Sequence, residues 1–573
     1  MSVAWNTLPW RKLEQHCFRI QKRIYRAKQS GSKRKVEKLQ KLLMKSEAAR
    51  LLAVRRVTQD NQGKKTAGVD GIKSVPPKER FVMAQHLHPK HWKHHKRPLP
   101  VRRIWIPKPG NLNERRPLGI PVMMERSKQA LVKLALEPAW EAVFESHSYG
   151  FRPGRSCHDA IGAIFLAIKN KPKFVFDADI KGCFDNISHE ALLAKLQAFP
   201  QLMHLIKGWL KAGVMEELDF SPTESGTPQG GVISPLLMNV ALHGMETAIK
   251  EAKYHDGKPI VVRYADDFVV FHPDKEELQK AAMLATEWLK SMGLWLSPNK
   301  TRVTHTLTPH EGNVGFDFLG FTIRQFSVGK THTGKSTHGK PLGFKTFIKS
   351  SKESIKRHTQ QLGQVLRKQR NAPQERVIRD LNPIIRGWCL YHRWVICSET
   401  FNLCDHITFL QLRRWGEARH PQKSKQWVRG KYFIRVDERN RFGTSFKDEE
   451  GKTKPMYVVS HGDTHHQDYI LVRGNSSPYD GDLFYWTKRL KQHPLVNTEK
   501  AKLLQIQKGQ CPRCGLYFRD GDLLEVDHSI PLALGGKDAL SNKWVYHRHC
   551  HDEKTAEDLA TIARYKAMGI NYH

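Results

Sequence analysis

Two adjacent carboxylic acids interrupt an apolar run near the middle of this chain. Ile260-Val261-Val262-Arg263 leads into Tyr264-Ala265-Asp266-Asp267, and Phe268-Val269-Val270-Phe271 follows. β-Branched and aromatic residues on both sides of the break predict two short strands around a tight turn. Like charges side by side against an apolar core are costly unless water reaches them or a cation neutralises them, so the turn is either exposed or a place for divalent metal. An exposed turn explains the dipeptide taken alone. A second run, Phe174-Val175-Phe176-Asp177-Ala178-Asp179-Ile180, predicts a short buried strand. Alternation sends Asp177 and Asp179 to one face, with Asp179 nearest the carboxyl end. If this strand lies beside the hairpin, Asp179 meets Asp266 and Asp267. Three carboxylates around two Mg²⁺ ions are what in-line nucleotidyl transfer requires.

The charge balance points to a polyanionic partner. Among 573 residues, 95 Lys and Arg oppose 56 Asp and Glu, a net charge of +39. A folded chain so basic repels itself unless a polyanion sits against it, and nucleic acid is the commonest such partner. An anionic membrane is the rival, but no segment approaches the roughly 20 apolar residues of a spanning helix, and the amino end lacks a secretory core. A cytosolic protein with no membrane partner is expected. At roughly 150 residues per domain the length suggests about three to four domains. Nine cysteines, an odd number at low density, fit a reducing compartment rather than a disulfide framework. Six are scattered, and Cys511, Cys514 and Cys550 cluster near the carboxyl end.

Coarse patterning divides the chain. The first 55 residues space Leu39, Leu42, Leu43, Leu51 and Leu52 among cations, which predicts helices with a basic outer face. Val101 to Pro107 reads as a strand, Ser127 to Val143 as a helix, and the very basic stretch from about 350 to 420 as helices broken at Pro383 and Gly387. Within it, Leu381 to Arg393 mixes aromatics with cations, a pattern that suits either RNA stacking or helix packing. Residues 430 to 500, rich in Gly, Pro, Asp and His, suggest a small irregular domain or a linker.

The carboxyl end carries two ligand hooks: Cys511-Pro512-Arg513-Cys514, and later His547-Arg548-His549-Cys550. Two hooks of soft donors suit a tetrahedral structural Zn²⁺ held by Cys511, Cys514, Cys550 and His547, with His549 or His551 as alternatives for the fourth position.

Several blocks follow one another along the chain: Thr66-Ala67-Gly68-Val69-Asp70-Gly71; Ile106-Pro107-Lys108-Pro109-Gly110; Arg116-Pro117-Leu118-Gly119-Ile120-Pro121; Tyr149-Gly150-Phe151-Arg152-Pro153-Gly154-Arg155-Ser156. The Asp179 segment, Gly226-Thr227-Pro228-Gln229-Gly230-Gly231, the Asp266-Asp267 turn and Phe318-Leu319-Gly320-Phe321 continue the series. In this order they resemble the reverse transcriptase and maturase proteins encoded within bacterial group II introns. The resemblance implies a multidomain α+β chain: a right-hand reverse transcriptase with fingers and palm, a helical thumb or maturase domain, a small DNA-binding domain and a ββα-metal endonuclease. The corresponding ranges are 1–125 for an amino-terminal extension and fingers, 126–345 for the palm, 346–430 for the maturase domain, 431–500 for the DNA-binding domain and 501–573 for the endonuclease.

Residue roles follow from the same resemblance. Asp179, Asp266 and Asp267 are the expected Mg²⁺ ligands and catalytic acids, and the Ile180 carbonyl adds an oxygen. Phe184 matches the bulky gate under the sugar of the incoming nucleotide, although a core aromatic is equally compatible with the residue. Lys108 and Arg116 match the cations that grip the triphosphate, and Gln229 the residue that touches the template. Glu525-Val526-Asp527-His528, Asn542 and Cys550-His551-Asp552-Glu553 resemble a His-Asn-His endonuclease module. On that match His528 is the general base, Asp527 and His551 hold a divalent cation (Mg²⁺ is expected), and Asn542 orients the hairpin. A zinc ribbon that merely binds nucleic acid is the plainer alternative. A nuclease leaves a 3′-hydroxyl and a polymerase needs one, so the expected function is target-primed reverse transcription. Intron RNA, target DNA and dNTPs are the expected partners, at the bacterial nucleoid. The alternatives are a splicing maturase without mobility and a host-serving reverse transcriptase.

Overall fold

The computed structural model describes residues 5–568, apart from 95–96, 109–110, 218, 330, 337, 448–452 and 520–521. Its first helices are amphipathic. In Trp10–Gln29, the side chains of Cys17, Ile20, Ile24 and Ala27 recur at three- and four-residue spacing and are buried, while Arg11, Lys12, Arg19, Arg23 and Arg26 lie on the outer side. Lys33–Lys45 buries Val36, Leu39 and Leu43 in the same way. Leu42, expected on that stripe, is exposed, because one residue back from Leu43 is about 100° round the helix. These helices pack on Met123–Glu141, and one core runs from Trp5 to Leu294.

The strands of the first two thirds are β1 (Val101–Lys108), β2 (Asn111–Ile120), β3 (Phe174–Asp179), β4 (Val214–Glu216), β5 (Asp219–Ser221), β6 (Ile260–Tyr264), β7 (Asp267–His272), β8 (Arg302–His305), β9 (Phe316–Phe318), β10 (Phe321–Ser327) and β11 (Phe344–Ser350). They form three sheets, ordered β2-β1-β4-β5, β6-β7-β3-β8 and β11-β10-β9. The second sheet is wholly antiparallel. Its apolar residues alternate between two cores: Phe176, Ala178, Val261, Phe268 and Val270 face the amino-terminal helices, and Val175, Val262, Val269 and Phe271 face the β9–β11 sheet.

Downstream, Lys352–Lys368, Gln374–His392 and Ser398–Arg419 form a helical domain. Gln374–His392 runs through both Pro383 and Gly387, where breaks were expected. Neither residue is buried, and on the opposite face Ile378, Leu381, Ile385 and Cys389 are, so packing overrides the lost N–H and the weak propensity. Residues 431–500, expected as one small DNA-binding domain, divide. Three strands, β12 (Phe433–Val436), β13 (Arg439–Lys447) and β14 (Thr453–Tyr457), form a meander whose Phe433 and Phe442 join the core of the helices. The irregular stretch 464–482 then lies against helix Cys157–Ile168. Asp159, fully buried, pairs with Arg489 at 3.0 Å and accepts the Val472 N–H at 2.7 Å and the Tyr469 hydroxyl at 3.1 Å. Helices Leu483–Lys491 and Thr498–Ile506 lead into a terminal ββα unit. There β15 (Leu524–His528) and β16 (Lys543–His547) pair antiparallel ahead of helix Arg548–Ala567.

Among the described residues, no helix is long and apolar enough to cross a membrane.

Candidate active sites

Strand register gathers the three acids. β6 and β7 close around Ala265 and Asp266, with Tyr264 opposite Asp267, and β3 lies on the other side of β7 with Asp179 opposite Asp267. Directly opposed residues hold their Cβ atoms about 5 Å apart, so carboxylates far apart in the chain become neighbours. Ala265 takes φ +59°, a left-handed backbone that a β-carbon disfavours by about 1 kcal/mol or more. Its surroundings hold it there. The buried Arg263 guanidinium donates to the Ala265 carbonyl at 3.0 Å, to Asn239 Oδ1 at 3.2 Å and to Ser148 Oγ at 2.7 Å. Gly150 lies directly behind the turn, where a Cβ would come within 2.3 Å of the Ala265 nitrogen.

Electrostatics at this tip favour a cation. Burial, with Asp179 adding repulsion, raises the Asp266 pKa, while Arg116 and Lys300 act in the opposite sense. Burial and the neighbouring Asp266 push Asp267 up to about 7. Carboxylates that resist ionising together are short of positive charge, and the all-oxygen donor set is the kind that hard divalent ions prefer. Lys300, which sequence reasoning missed, supplies one positive charge, its Nζ 2.8 Å from Asp179 Oδ2. The only sequence signal for it was a Lys after a Pro-Asn turn. Asp177, two residues before Asp179 on β3 and predicted to share its face, pairs with Arg302 at 3.1 Å.

The remaining positions surround this tip. Beyond β3, the Asp179 carbonyl accepts from Ser297 N–H and the Lys181 N–H donates to the Trp295 carbonyl. By strand alternation the Ile180 carbonyl between them faces the opposite way, on the hairpin side. Phe184 packs edge-on against Phe151 with ring centroids 6.2 Å apart, and is partly exposed rather than sealed in the core. Gln229 Nε2 donates to Asp185 Oδ2 at 3.3 Å, and its carbonyl accepts the Gly119 N–H at 2.6 Å, tying the glycine-rich loop to β2. Arg116 lies on β2 opposite Ile106. Lys108 ends β1, and its side chain lies outside the described residues.

A second cluster stands at the carboxyl end. One ligand atom each from Cys511, Cys514, His547 and Cys550 lies within 4.8 Å of the others, and all four residues are buried. Hydrogen bonds from Cys511 and Cys550 hold the Cys514 thiol far below the usual range, which suits a thiolate donor. His547 Nε2 is 3.3 Å from Asp522 Oδ2, the carboxylate–histidine arrangement that orients a metal-binding imidazole. His549 stacks on His547 at 5.2 Å and turns Nδ1 toward Glu14 of the first long helix, 3.5 Å away. Neither Asp522 nor Glu14 was foreseen, since no local pattern links them to the hooks.

On the outer face of the ββα unit, Asp527 Oδ2 and His551 Nε2 are 3.7 Å apart, with Lys554 Nζ 3.3 Å from the same Asp527 oxygen. His528 is adjacent and faces Asp538 at 3.0 Å. Asn542 bonds to neither Asp527 nor Asp538. Its side chain takes the Ile530 N–H and donates to the carbonyls of Ile530 and Lys537, each at 2.9 Å, so it is a positioning residue that closes the loop after His528.

In the helical domain, the aromatic and cationic string faces mostly inward. Trp388 stacks on His358 at 4.5 Å and lies tilted against His392 at 4.4 Å, while Arg386 is exposed. His392 lies between the hydroxyls of Ser350 and Ser354, and His358 meets His461 at 2.8 Å. Helix packing, one of the two readings of this string, accounts for its aromatics.

Comparison with known proteins gives four family matches along the chain. The reverse transcriptase (RNA-dependent DNA polymerase) family matches residues 106–323, the N-terminal domain of reverse transcriptase 5–87, the group II intron maturase-specific domain 355–433 and the HNH endonuclease 511–557. Protein YkfC of Escherichia coli is 32% identical over 329 residues, which are 50% of this chain and 83% of that protein. Group II intron-encoded protein LtrA of Lactococcus lactis is 43% identical over 159 residues, 27% of this chain and 26% of LtrA. Maturase-like protein 1 of Euglena gracilis is 28% identical over 390 residues, 67% of this chain and 76% of that protein.

Proposed function

Because the chain belongs to the group II intron-encoded proteins, with reverse transcriptase, maturase and HNH endonuclease domains in one polypeptide, we propose that it performs target-primed reverse transcription at the bacterial nucleoid. It binds its intron RNA, assists splicing, nicks one strand of target DNA and extends the cut end with dNTPs along the RNA. The observation that carries the polymerase half is the register setting Asp179 opposite Asp267 beneath the Asp266 turn.

The residues divide the work by position. Asp179, Asp266 and Asp267, with the Ile180 carbonyl, would hold divalent ions, taken as two Mg²⁺, whose charge would lower the pKa of the attacking 3′-hydroxyl and offset that of the leaving pyrophosphate. Arg116, whose field already reaches Asp266, and Lys108 at the end of β1 grip the triphosphate. Phe184 supports the sugar and excludes a 2′-hydroxyl, braced by Phe151. Gln229, fixed between Asp185 and β2, meets the template base. Cys511, Cys514, His547 and Cys550 take a structural Zn²⁺, which the buried, thiol-rich tetrad within 4.8 Å supports. In the nuclease, His528 accepts the proton of the attacking water, with Asp538 able to stabilise the imidazolium. Asp527 and His551 would hold a divalent cation, whose charge would stabilise the scissile phosphate.

Primer extension on an RNA template with Mg²⁺ tests the assignment. Wild type synthesises complementary DNA, Asp179→Ala does not, and the Ala substitutions at Asp266 and Asp267 abolish synthesis while leaving splicing assistance intact. Equal synthesis by wild type and Asp179→Ala overturns it.

A further inference from the structure

The loop after the nuclease base displays aliphatic side chains that the protein leaves uncovered. Ile530 is 54% exposed and Leu532 52% exposed. They lie two and four residues beyond His528, so even a fully extended chain keeps them within about 7 and 14 Å of it. The loop is also rigid. Asn542 ties both ends of its first half through Ile530 and Lys537, and the Gly536 N–H returns to the Pro531 carbonyl at 3.1 Å. Its two limbs touch: a Cβ on Gly536 would come within 2.0 Å of the Ile530 carbonyl. A loop so firmly closed could have turned its aliphatics inward, as β15 and β16 do with Val526 and Val545, which pack on the core of the terminal unit. Instead both stay exposed on a loop whose far end, Lys537-Asp538, returns to the imidazole, Asp538 Oδ1 lying 3.0 Å from His528 Nε2.

The geometry points to Ile530 and Leu532 as a wedge that enters the duplex at the cleavage site and unstacks the base step next to the scissile phosphate. This rests on the nuclease reading above and adds how its substrate is deformed. Whatever reaches His528 must also meet this loop, and the substrate of an HNH endonuclease is DNA. Proteins that insert Ile, Leu or Pro between base steps kink the duplex, and the larger protein surface that the bent DNA then covers offsets the lost stacking. Lys537 fits the adjacent backbone phosphate. The wedge makes cleavage sensitive to the deformability of the step, so the residues help to determine the site without reading a base edge.

The test uses the full chain with its intron RNA and a duplex of the joined exons, either fully paired or with a mismatch at the cleavage step. The double variant Ile530→Ser, Leu532→Ser is expected to nick the paired duplex about tenfold or more slowly, and to recover to near the wild-type rate on the mismatched one, where the step is already unstacked. Extension of an annealed primer remains unchanged, showing that the chain is folded. In a His528→Ala background, 2-aminopurine beside the scissile phosphate brightens on binding when the wedge is intact and stays quenched in the variant. Equal slowing on both duplexes, or no slowing at all, overturns the wedge while leaving the nuclease in place. A wild-type complex that nicks neither duplex overturns the nuclease reading and the wedge with it.

Discussion

Gly150→Ala probes the catalytic turn without touching a catalytic residue. The added methyl would lie 2.3 Å from the Ala265 nitrogen and 2.9 Å from its Cα and Cβ, while ordinary contact begins near 3.4 Å. Gly150 does not have positive φ, so alanine meets no backbone penalty of its own and the effect is steric. Escape is limited on both sides. The Gly150 carbonyl accepts from Asn239 Nδ2 at 2.8 Å, and Asn239 in turn accepts from Arg263. The turn must therefore retreat by about 1 Å, carrying Asp266 and Asp267 with it. A misplacement of that size costs on the order of 100-fold in rate when reacting groups must hold a near-attack geometry. The overpacking itself costs about 1–3 kcal/mol of stability, too little to unfold so large a core. Single-turnover primer extension at saturating dNTP should fall about 100-fold, with target nicking by the same preparation unchanged. Wild-type extension by Gly150→Ala would refute the claim that backbone contact at this point aims the acids.

Three further outcomes follow from other parts of the molecule. Burial lowers the pKa of both His358 and His392 to about 3, so each is neutral in the fold. A depressed histidine pKa gives stability that is complete above about 6.5 and lost as pH falls, on the order of 1–2 kcal/mol per residue by pH 5. Trp388, in ring contact with both, reports this by fluorescence, and a denaturation midpoint that stays flat from pH 7 to pH 5 would contradict it. Cys511→Ser should lose one equivalent of bound zinc by metal analysis and abolish nicking, with primer extension kept; full zinc content in the variant would exclude Cys511 as a ligand. Arg489→Met leaves Asp159 buried and uncompensated, which costs about 3–5 kcal/mol. Hydrogen exchange in residues 464–482 should quicken accordingly, and unaltered protection would show that the ion pair does not hold this strap on helix Cys157–Ile168.

Local chemistry made much of this protein legible before any coordinates. The strand carrying Asp179 and the two flanking the Asp266 turn were visible because runs of β-branched and aromatic residues leave few other conformations. The ligand hooks were visible because close spacing of soft donors is itself the geometry. Even so, choosing His547 over His549 or His551 needed the fold, which brings the first to the thiols, stacks the second behind it and turns the third toward Asp527. For charge partners brought together from distant segments, the sequence was silent. Lys300 reaches Asp179 from 121 positions away, and Glu14 reaches His549 across nearly the whole chain.

The helix through Pro383 and the splitting of residues 431–500 mark the same boundary from the other side. Propensity favoured a break and a linker, but burial of Leu381, Ile385, Phe433 and Phe442 in one core outweighed it. Residue identity and spacing, acting over a few neighbours, therefore determined the strands, the hooks and the class of chemistry. Tertiary packing alone decided register, docking and the partners of each charge, because those depend on free energies summed over surfaces that meet only when distant segments come together.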